Sequence, residues 1–191
     1  CRDAFGRLFP ALGDVQNTAA APAIRLLLRL SEAPALKSNE LYFTSDTHFG
    51  HLMMALEIRG FSSTDEMDEV LIERWNEVVP KNGHLFHLGD VSFRNQTTTA
   101  AILDRLNGVK YLVKGNHDRL SGPVATRFQW VKDYYSLKVE DTKQYLVMCH
   151  YAFRVWNRGH YGAWNLHGHS HGNLAPNGKQ VDVGSDTHDY R

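Results

Sequence analysis

Short apolar runs, each closed by a polar cluster, recur along the chain from residue 41 onward. Apolar runs of about four to eight residues that are bounded by turn residues are typical of buried strands. The pattern predicts strands over residues 41–45, 84–88, 110–114, 144–149 and 163–166, with a short last strand at 181–183. The polar residues that follow the first five runs include Asp46, Asp90, Asn116, His150 and His169.

Helical periodicity fills two of the intervals between the predicted strands. Ser63 followed by Glu66 predicts a capping box at the start of the first helix. That helix places Met67, Leu71 and Trp75 on one face, and a second helix is predicted over residues 97–106. Strands that alternate with helices indicate an α/β fold, in which sites form at the carboxyl ends of the strands. We therefore expect the five polar clusters to meet at one rim.

Residues 1–39 differ from the rest of the chain and carry no catalytic motif. A short helical stretch over residues 24–30 is followed by a linker over 31–39. We predict an N-terminal arm or helix over residues 1–39 and one domain over residues 40–191. The amphipathic pattern favours packing of the arm on the core, and the alternative is a docking segment for a partner.

Composition narrows the class of protein. A chain of 191 residues with 22% charged and 42% hydrophobic residues suits one globular domain. The 21 basic and 21 acidic residues give zero formal net charge, which argues against a dedicated nucleic-acid binder. No apolar stretch reaches the roughly 18 residues that a membrane span needs, so we expect no membrane partner. Neutral charge and the absence of a signal sequence lead us to expect a cytoplasmic protein. The oligomeric state is left open.

Eleven histidines are the unusual feature, and most of them lie in clusters with Asp, Asn and Gly. The candidate metal ligands are Asp46, His48, Asp90, Asn116, His150, His169 and His171. A single ion cannot bind all of these nitrogen and oxygen donors and still keep coordination positions free for water. With Asp90 bridging, they suit two divalent ions with four protein ligands each. Mixed imidazole and carboxylate donors point to Mn, Fe, Zn or Ni, of which we expect Mn, and away from Ca or Cu(I).

A pair of metal ions about 3.5–4 Å apart is a recurring device for in-line displacement at phosphorus. Such a reaction still needs a general acid that protonates the leaving alkoxide. His117 stands beside Asn116 in a turn that begins with glycine, and we predict that it is this acid. Asp118 follows, and we expect it to orient the His117 ring.

Three further residues are candidates for contact with substrate. His51 follows His48 by three residues, and Arg94 follows Asp90 by four. Arg94 is predicted either to bind phosphate or to be an ordinary solvated arginine. Arg154 begins a basic and aromatic stretch over residues 154–164. Tryptophans in such a stretch more often serve packing, and the alternative is a wall that stacks a base or an aromatic ester.

In their order along the chain, the polar clusters resemble the five motifs of the calcineurin-like metallophosphoesterases, over residues 41 to about 184. The matching elements are Asp46-Thr47-His48, Gly89-Asp90, Gly115-Asn116-His117-Asp118, His150 and Gly168-His169-Ser170-His171. The resemblance implies a β-sandwich of two mixed sheets flanked by helices, with a dinuclear site at the rim of the strands. It implies one metal site of Asp46, His48, Asp90 and His171, and another of Asp90, Asn116, His150 and His169. His117 matches the catalytic histidine, and the implied reaction is hydrolysis of a phosphate ester by a metal-bridging hydroxide.

The motifs specify the reaction better than the substrate. The segment after Asp90 lacks the Asp-Arg-Gly element of the family's protein phosphatases, and the third motif ends in Asp118 rather than Glu. The chain is similar to small single-domain prokaryotic and phage members, without room for the capping domain of the repair nucleases. We expect a small-molecule or nucleotide phosphoester, with a diester favoured over a monoester and nucleic acid not favoured. The alternative from another class is a non-catalytic metal-binding scaffold, against which the retention of His117 and every ligand position argues.

Overall fold

The computed structural model describes residues 36–190, so the arm predicted over residues 1–39 lies almost entirely outside the described residues. The described chain is a mixed α/β structure with two four-stranded sheets. The six strands predicted from the apolar runs are present, and each end agrees with the prediction to within one residue.

The first sheet contains β1 (Leu41–Thr44), β2 (His84–His87), β3 (Val109–Val113) and β4 (Val131–Lys132), side by side in chain order. Its crossovers carry helices α1 (Thr64–Val78), α2 (Gln96–Arg105) and α3 (Gly122–Ala125). Each crossover returns the chain to the same end of the sheet, so all three strand pairs are parallel. This sheet therefore corrects the expectation of two mixed sheets.

The second sheet contains β5 (Tyr135–Lys138), β6 (Tyr145–Met148), β7 (Trp164–His167) and β8 (Gln180–Asp182). A turn closed by the Val139 N–H on the Gln144 carbonyl, at 2.9 Å, joins β5 to β6 and makes that pair antiparallel. The pairs β6–β7 and β7–β8 are parallel. The second sheet is thus mixed, as expected. Its candidate ligands follow the carboxyl ends of the parallel strands.

Aromatic side chains fill the space between the two sheets. Phe86 of β2 stacks on Tyr111 of β3 at 4.7 Å between ring centroids, and lies 6.1 Å from Tyr135 of the second sheet. Side chains alternate along a strand, so the neighbouring Leu85 points to the other face and joins the core formed with the helices. The first sheet is therefore covered by helices on one face and by the second sheet on the other.

Helix α1 begins where the sequence predicts. The Ser63 hydroxyl accepts the Glu66 N–H at 3.0 Å, whereas the Glu66 carboxylate accepts the N–H of Ser62 rather than that of Ser63. Its buried face includes Met67, Leu71 and Trp75, as predicted. In the part of the chain that the structure describes, no helix is long and apolar enough to cross a membrane.

The two sheets meet at one edge, next to the carboxyl ends of their strands. Ser45, directly after β1, forms a parallel bridge with Gly184, two residues after β8. The Ser185 N–H donates to the Ser45 carbonyl at 3.0 Å. This join brings the C-terminal segment of the chain against the loop that follows β1.

Candidate metal centre

The candidate ligands lie on loops at the carboxyl ends of β1, β2, β3, β6 and β7. Of nine described non-glycine residues with positive φ, five are candidate ligands: Asp46, His48, Asp90, His169 and His171. A left-handed backbone is unfavourable for residues with a Cβ and persists only where the surroundings enforce it. The fold therefore stores strain where the sequence predicts the site.

The first cluster consists of Asp46, His48 and His171, whose potential ligand atoms all lie within 4.8 Å of one another. Asp46 Oδ1 is 3.6 Å from His48 Nε2 and 3.8 Å from His171 Nε2. These separations exceed hydrogen-bond distance, and they approach the spacing of about 3.4 Å that two ligands have around one tetrahedral ion.

The second cluster consists of Asp90, His150 and His169, which meet the same 4.8 Å limit. Asp90 Oδ2 lies 3.5 Å from His150 Nε2. His150 Nδ1 is 2.8 Å from the Leu88 carbonyl, which can only accept, so Nδ1 carries a proton and Nε2 is the ring nitrogen that faces Asp90 and the cluster. Asn116 joins this cluster, because its Oδ1 lies 2.9 Å from His150 Nε2.

Asp90 lies between the two clusters. Its Oδ2 is also 3.9 Å from His48 Nε2, in the first cluster. Its Oδ1 accepts the backbone N–H of His117 at 2.9 Å, which fixes the orientation of the carboxylate. The geometry thus brings one carboxylate near both clusters, and its sharing by two ions stays a prediction.

Both buried aspartates are held in their charged form. Burial alone would raise the pKa of Asp90, but the His150 side chain and the His117 N–H outweigh it and lower the pKa to about 2. Burial likewise opposes the charge on Asp46, whose pKa is nevertheless lowered by His48, Ser45 and the His169 N–H. Ionised carboxylates in this position are suitable cation ligands at neutral pH.

The first cluster is supported by two residues that no motif indicates. His171 Nδ1 lies 2.6 Å from Asp186 Oδ2, which turns the other ring nitrogen toward Asp46. Arg59, whose side chain is 1% exposed, pairs with the Asp186 carboxylate and donates to the backbone carbonyl of Asp46 at 2.7 Å. A carboxylate behind a histidine ligand is a frequent second partner in metal sites.

The second cluster is supported by Asp118, and this corrects the role that we expected for it. Its carboxylate accepts the backbone N–H groups of Asp90 at 3.0 Å, Val91 at 2.9 Å and Gly115 at 2.8 Å. Asp118 therefore fixes the loops after β2 and β3 instead of orienting the His117 ring. Gly115 is required there, because a Cβ would lie 2.2 Å from Asp90 Oδ1.

The His117 ring is exposed and lies beside the first cluster. Its centroid lies 6.0 Å from that of His48 and 5.0 Å from that of Phe93. Phe93, which the sequence reasoning missed, also packs on His51 at 4.1 Å. His51 therefore lies beside the centre, with its Nδ1 accepting the Met54 N–H at 3.1 Å, and burial is the main cause that lowers its pKa.

Arg94 and Arg154, which were predicted to contact substrate, lie outside the two Asp/His clusters. Arg94 pairs with Asp68 at 2.9 Å and also with Asp65, so two carboxylates neutralise its guanidinium. Arg154 lines a cavity on the loop between β6 and β7, together with Trp156 and Lys179. Phosphate binding by either arginine stays a prediction.

The residues present suit divalent cations. Within residues 36–190, Asp46 Oδ1 and both ring nitrogens of His48 are buried without a hydrogen-bond partner. Burying a polar atom without a hydrogen-bond partner costs free energy, unless another group, such as an ion, interacts with that atom. The two Asp/His clusters could therefore each hold a metal ion.

Comparison with known proteins gives relatives without an assigned function. No protein-family profile matches the chain. It is 27% identical over 166 residues to the uncharacterized protein MJ1445 of Methanocaldococcus jannaschii, covering 82% of this chain and 87% of the relative. The fold is shared with AQ665 from Aquifex aeolicus, a protein of unknown function, at a TM-score of 0.61 and 21% identity, covering 79% of this chain and 92% of that one. A single mutant of Vps29 from Entamoeba histolytica aligns at a TM-score of 0.42 and 15% identity, covering 75% of this chain and 72% of that one, and this likeness carries no functional inference.

Proposed function

We propose that the protein is a metal-dependent phosphoesterase of the calcineurin-like type, with a phosphodiester as the favoured substrate. The observation that carries the proposal is the position of Asp90, within 3.9 Å of His48 in one Asp/His cluster and within 3.5 Å of His150 in the other. Adjacent clusters that share a carboxylate suit two ions, of which we propose Mn, with Fe, Zn or Ni as alternatives. Two such ions, when bound, supply an activated water and neutralise the charge on the phosphoryl oxygens.

The chain's own residues fix the donor atoms before any substrate arrives. Asp186 and the Leu88 carbonyl each engage a histidine Nδ1, so His171 and His150 present Nε2 toward the clusters. Asp118 holds the backbone at Asp90 through two N–H groups. Preorganised donors of this kind need little rearrangement during the reaction.

We assign His117 the task of proton donor to the leaving group. Its backbone is anchored on Asp90 Oδ1, while its ring is exposed beside His48 of the first cluster. A ring nitrogen there can give its proton to the leaving oxygen and receive one again from solvent. Asn116 and His169 are also exposed, so the rim is open on this side, which suits the two ester groups of a diester.

The test is hydrolysis of bis-p-nitrophenyl phosphate beside p-nitrophenyl phosphate by metal-stripped protein, with and without Mn²⁺. We expect Mn²⁺-dependent turnover that is faster for the diester. A faster monoester reaction would replace the diester with a small phosphomonoester. Two bound ions without turnover of either compound would favour the non-catalytic scaffold, and a failure to bind any divalent ion would overturn the proposal.

A further inference from the structure

The segment from Lys143 to Val181 contains four Lys or Arg residues and no Asp or Glu. The whole chain has 21 basic and 21 acidic residues, so the remainder carries 17 basic residues against 21 acidic ones. A neutral net charge therefore conceals a local excess of positive charge. We call residues 143–181 the acid-free segment.

The cations of this segment gather away from the metal centre. Strands β6, β7 and β8 are parallel, and the clusters lie at their carboxyl ends, whereas Tyr145, Trp164 and Lys179 lie at or next to their amino ends. The loop between β6 and β7 places Arg158 at the same end, where its guanidinium lies 4.3 Å from the ring centroid of Tyr145.

Three cations surround one cavity at this end of the sheet. Lys143, Arg158 and Lys179 line a space of about 160 Å³. Lys179 Nζ donates to the Gly162 carbonyl at 3.2 Å and lies 5.4 Å from the Trp164 ring. Among residues 36–190, none of the three cations has a carboxylate within ion-pair distance. Three cations without counter-charges form a site of positive potential that suits a phosphate group.

A second, larger cavity adjoins the first. It measures about 520 Å³, shares Lys179 and Gly162 with the first cavity, and is also lined by Arg154, Trp156 and His160. Tyr161, which borders the smaller cavity, is 78% exposed. A large exposed aromatic ring among cations suits the flat face of a nucleobase.

We propose that Lys143, Arg154, Arg158, Tyr161 and Lys179 form a surface that binds single-stranded nucleic acid, with phosphates at the cations and a base on the Tyr161 ring. Aromatic rings interleaved with cations are the usual features of sequence-tolerant single-strand binding. Loops, strand ends and the short 3₁₀ turn Gly159–Tyr161 line the cavities, and no described α-helix does, so we propose a single strand and not a duplex. The proposal is independent of the metal centre and does not require catalysis.

The test is fluorescence anisotropy of a labelled oligothymidylate with the full chain in EDTA, where neither metal binding nor hydrolysis contributes. We expect the Arg158→Gln/Lys179→Gln variant to lose at least about tenfold in affinity at low salt. Each phosphate contact contributes about 0.7 to the slope of log K against log salt for single strands, so this slope becomes shallower by about 1.4. The matched control, Arg74→Gln/Lys81→Gln, removes the same charge from the end of α1 and should bind as the unmodified chain does.

The aromatic part of the surface is tested separately. Tyr161→Ala should weaken oligothymidylate binding by about tenfold and leave the binding of inorganic polyphosphate unchanged, since only the oligonucleotide has bases to stack. Tyr134→Ala, which removes another exposed tyrosine, is the control. Absence of oligonucleotide binding, or equal losses in a variant and its control, would overturn the proposal. Equal loss of polyphosphate binding in Tyr161→Ala would also overturn the assignment to nucleic acid.

Discussion

The two Asp/His clusters present similar donors but are supported by different parts of the chain. In the second cluster, His150 donates to the Leu88 carbonyl and the Asp90 loop is held by Asp118, 28 residues away along the chain. In the first cluster, His171 depends on Asp186, and Asp186 depends on Arg59, from which it is separated by 127 residues. Motif residues and backbone thus hold the second cluster, whereas a remote ion pair holds the first.

This difference suggests that the two clusters respond unequally to substitution. The first cluster can be weakened by a single change outside every motif. The second cluster can be weakened only through the residues that the motifs contain or their immediate backbone. Variants that affect both clusters, neither cluster, or one cluster at a time can test this asymmetry.

Asp90→Asn should have the largest effect, because this carboxylate faces both clusters. We expect loss of the metal pair and a fall in Mn²⁺-dependent turnover of at least about 10³-fold, since several kcal/mol of transition-state stabilisation would be lost. Metal content by mass spectrometry and diester hydrolysis are the measurements. Asp104→Asn, at an exposed carboxylate paired with Arg127, is the matched control. A variant that keeps two tightly bound ions and full activity would show that Asp90 is not shared.

His117→Asn should leave both clusters loaded and slow the reaction. We expect turnover to fall by about 10²–10⁴-fold for diesters with poor leaving groups, and less for p-nitrophenyl esters, which need less protonation. The measurements are metal content and rates for a pair of esters that differ only in the leaving group. His160→Asn, at an exposed histidine on the opposite end of the second sheet, serves as control. Equal losses for both esters would contradict the proton-donor role.

Asp186→Asn should separate the clusters. It removes the charged partner of His171 Nδ1 and leaves Arg59 unpaired, so we expect one ion to bind about 10–100-fold more weakly while the other is unaffected. Asp118→Asn is the corresponding change behind the second cluster, and it should weaken the other ion. Titration of metal-stripped protein with Mn²⁺, followed by calorimetry, resolves the two steps. If both variants weaken the same step, the clusters are not independently supported.

The sequence indicates which candidate ligands come together better than it indicates the residues that support them. Asp46, Asp90, Asn116, His150 and His169 are visible because each follows an apolar run, and parallel strands bring their carboxyl ends together. Nothing local distinguishes Arg59 or Asp186 from ordinary surface charges, because their pairing depends on the bridge between residues 45 and 184.

The missed strands and the role of Asp118 have different causes. Strand β4 has two residues, too few for any periodic pattern, but the alternation of Tyr135, Ser136, Leu137 and Lys138 could have revealed β5. The part played by Asp118 depends on backbone N–H groups, which every residue type except proline carries, so residue identity could not indicate it.

The smallest effect that we predict is a change in how the free energy of unfolding depends on pH. It originates at His87, a buried residue below the candidate metal centre. This buried ring accepts the Gly89 N–H at Nδ1, at 3.1 Å, so Nε2 carries the proton and donates to Thr47 Oγ1 at 3.0 Å. Burial lowers its pKa from 6.5 to about 4. Between these two values the unfolded chain binds a proton that the folded chain does not, so stability should rise with pH across this window and be lost as pH falls through it.

Chemical denaturation of the metal-free protein at several pH values, compared with a His87→Asn variant, measures this contribution. The lowered pKa values of His51 and His169 act in the same direction as that of His87, and the raised pKa values of His150 and His171 act in the opposite direction above pH 6.5, so only the difference between the two proteins isolates His87. Asp90 and Asp186, with pKa values of about 2, lose their contribution only below the ordinary carboxylate range. We expect the variant to be less stable at pH 7 but to lose less stability between pH 6.5 and pH 4. Parallel losses in that window would mean that His87 is protonated in the folded protein, and that the ring beneath both clusters carries a charge.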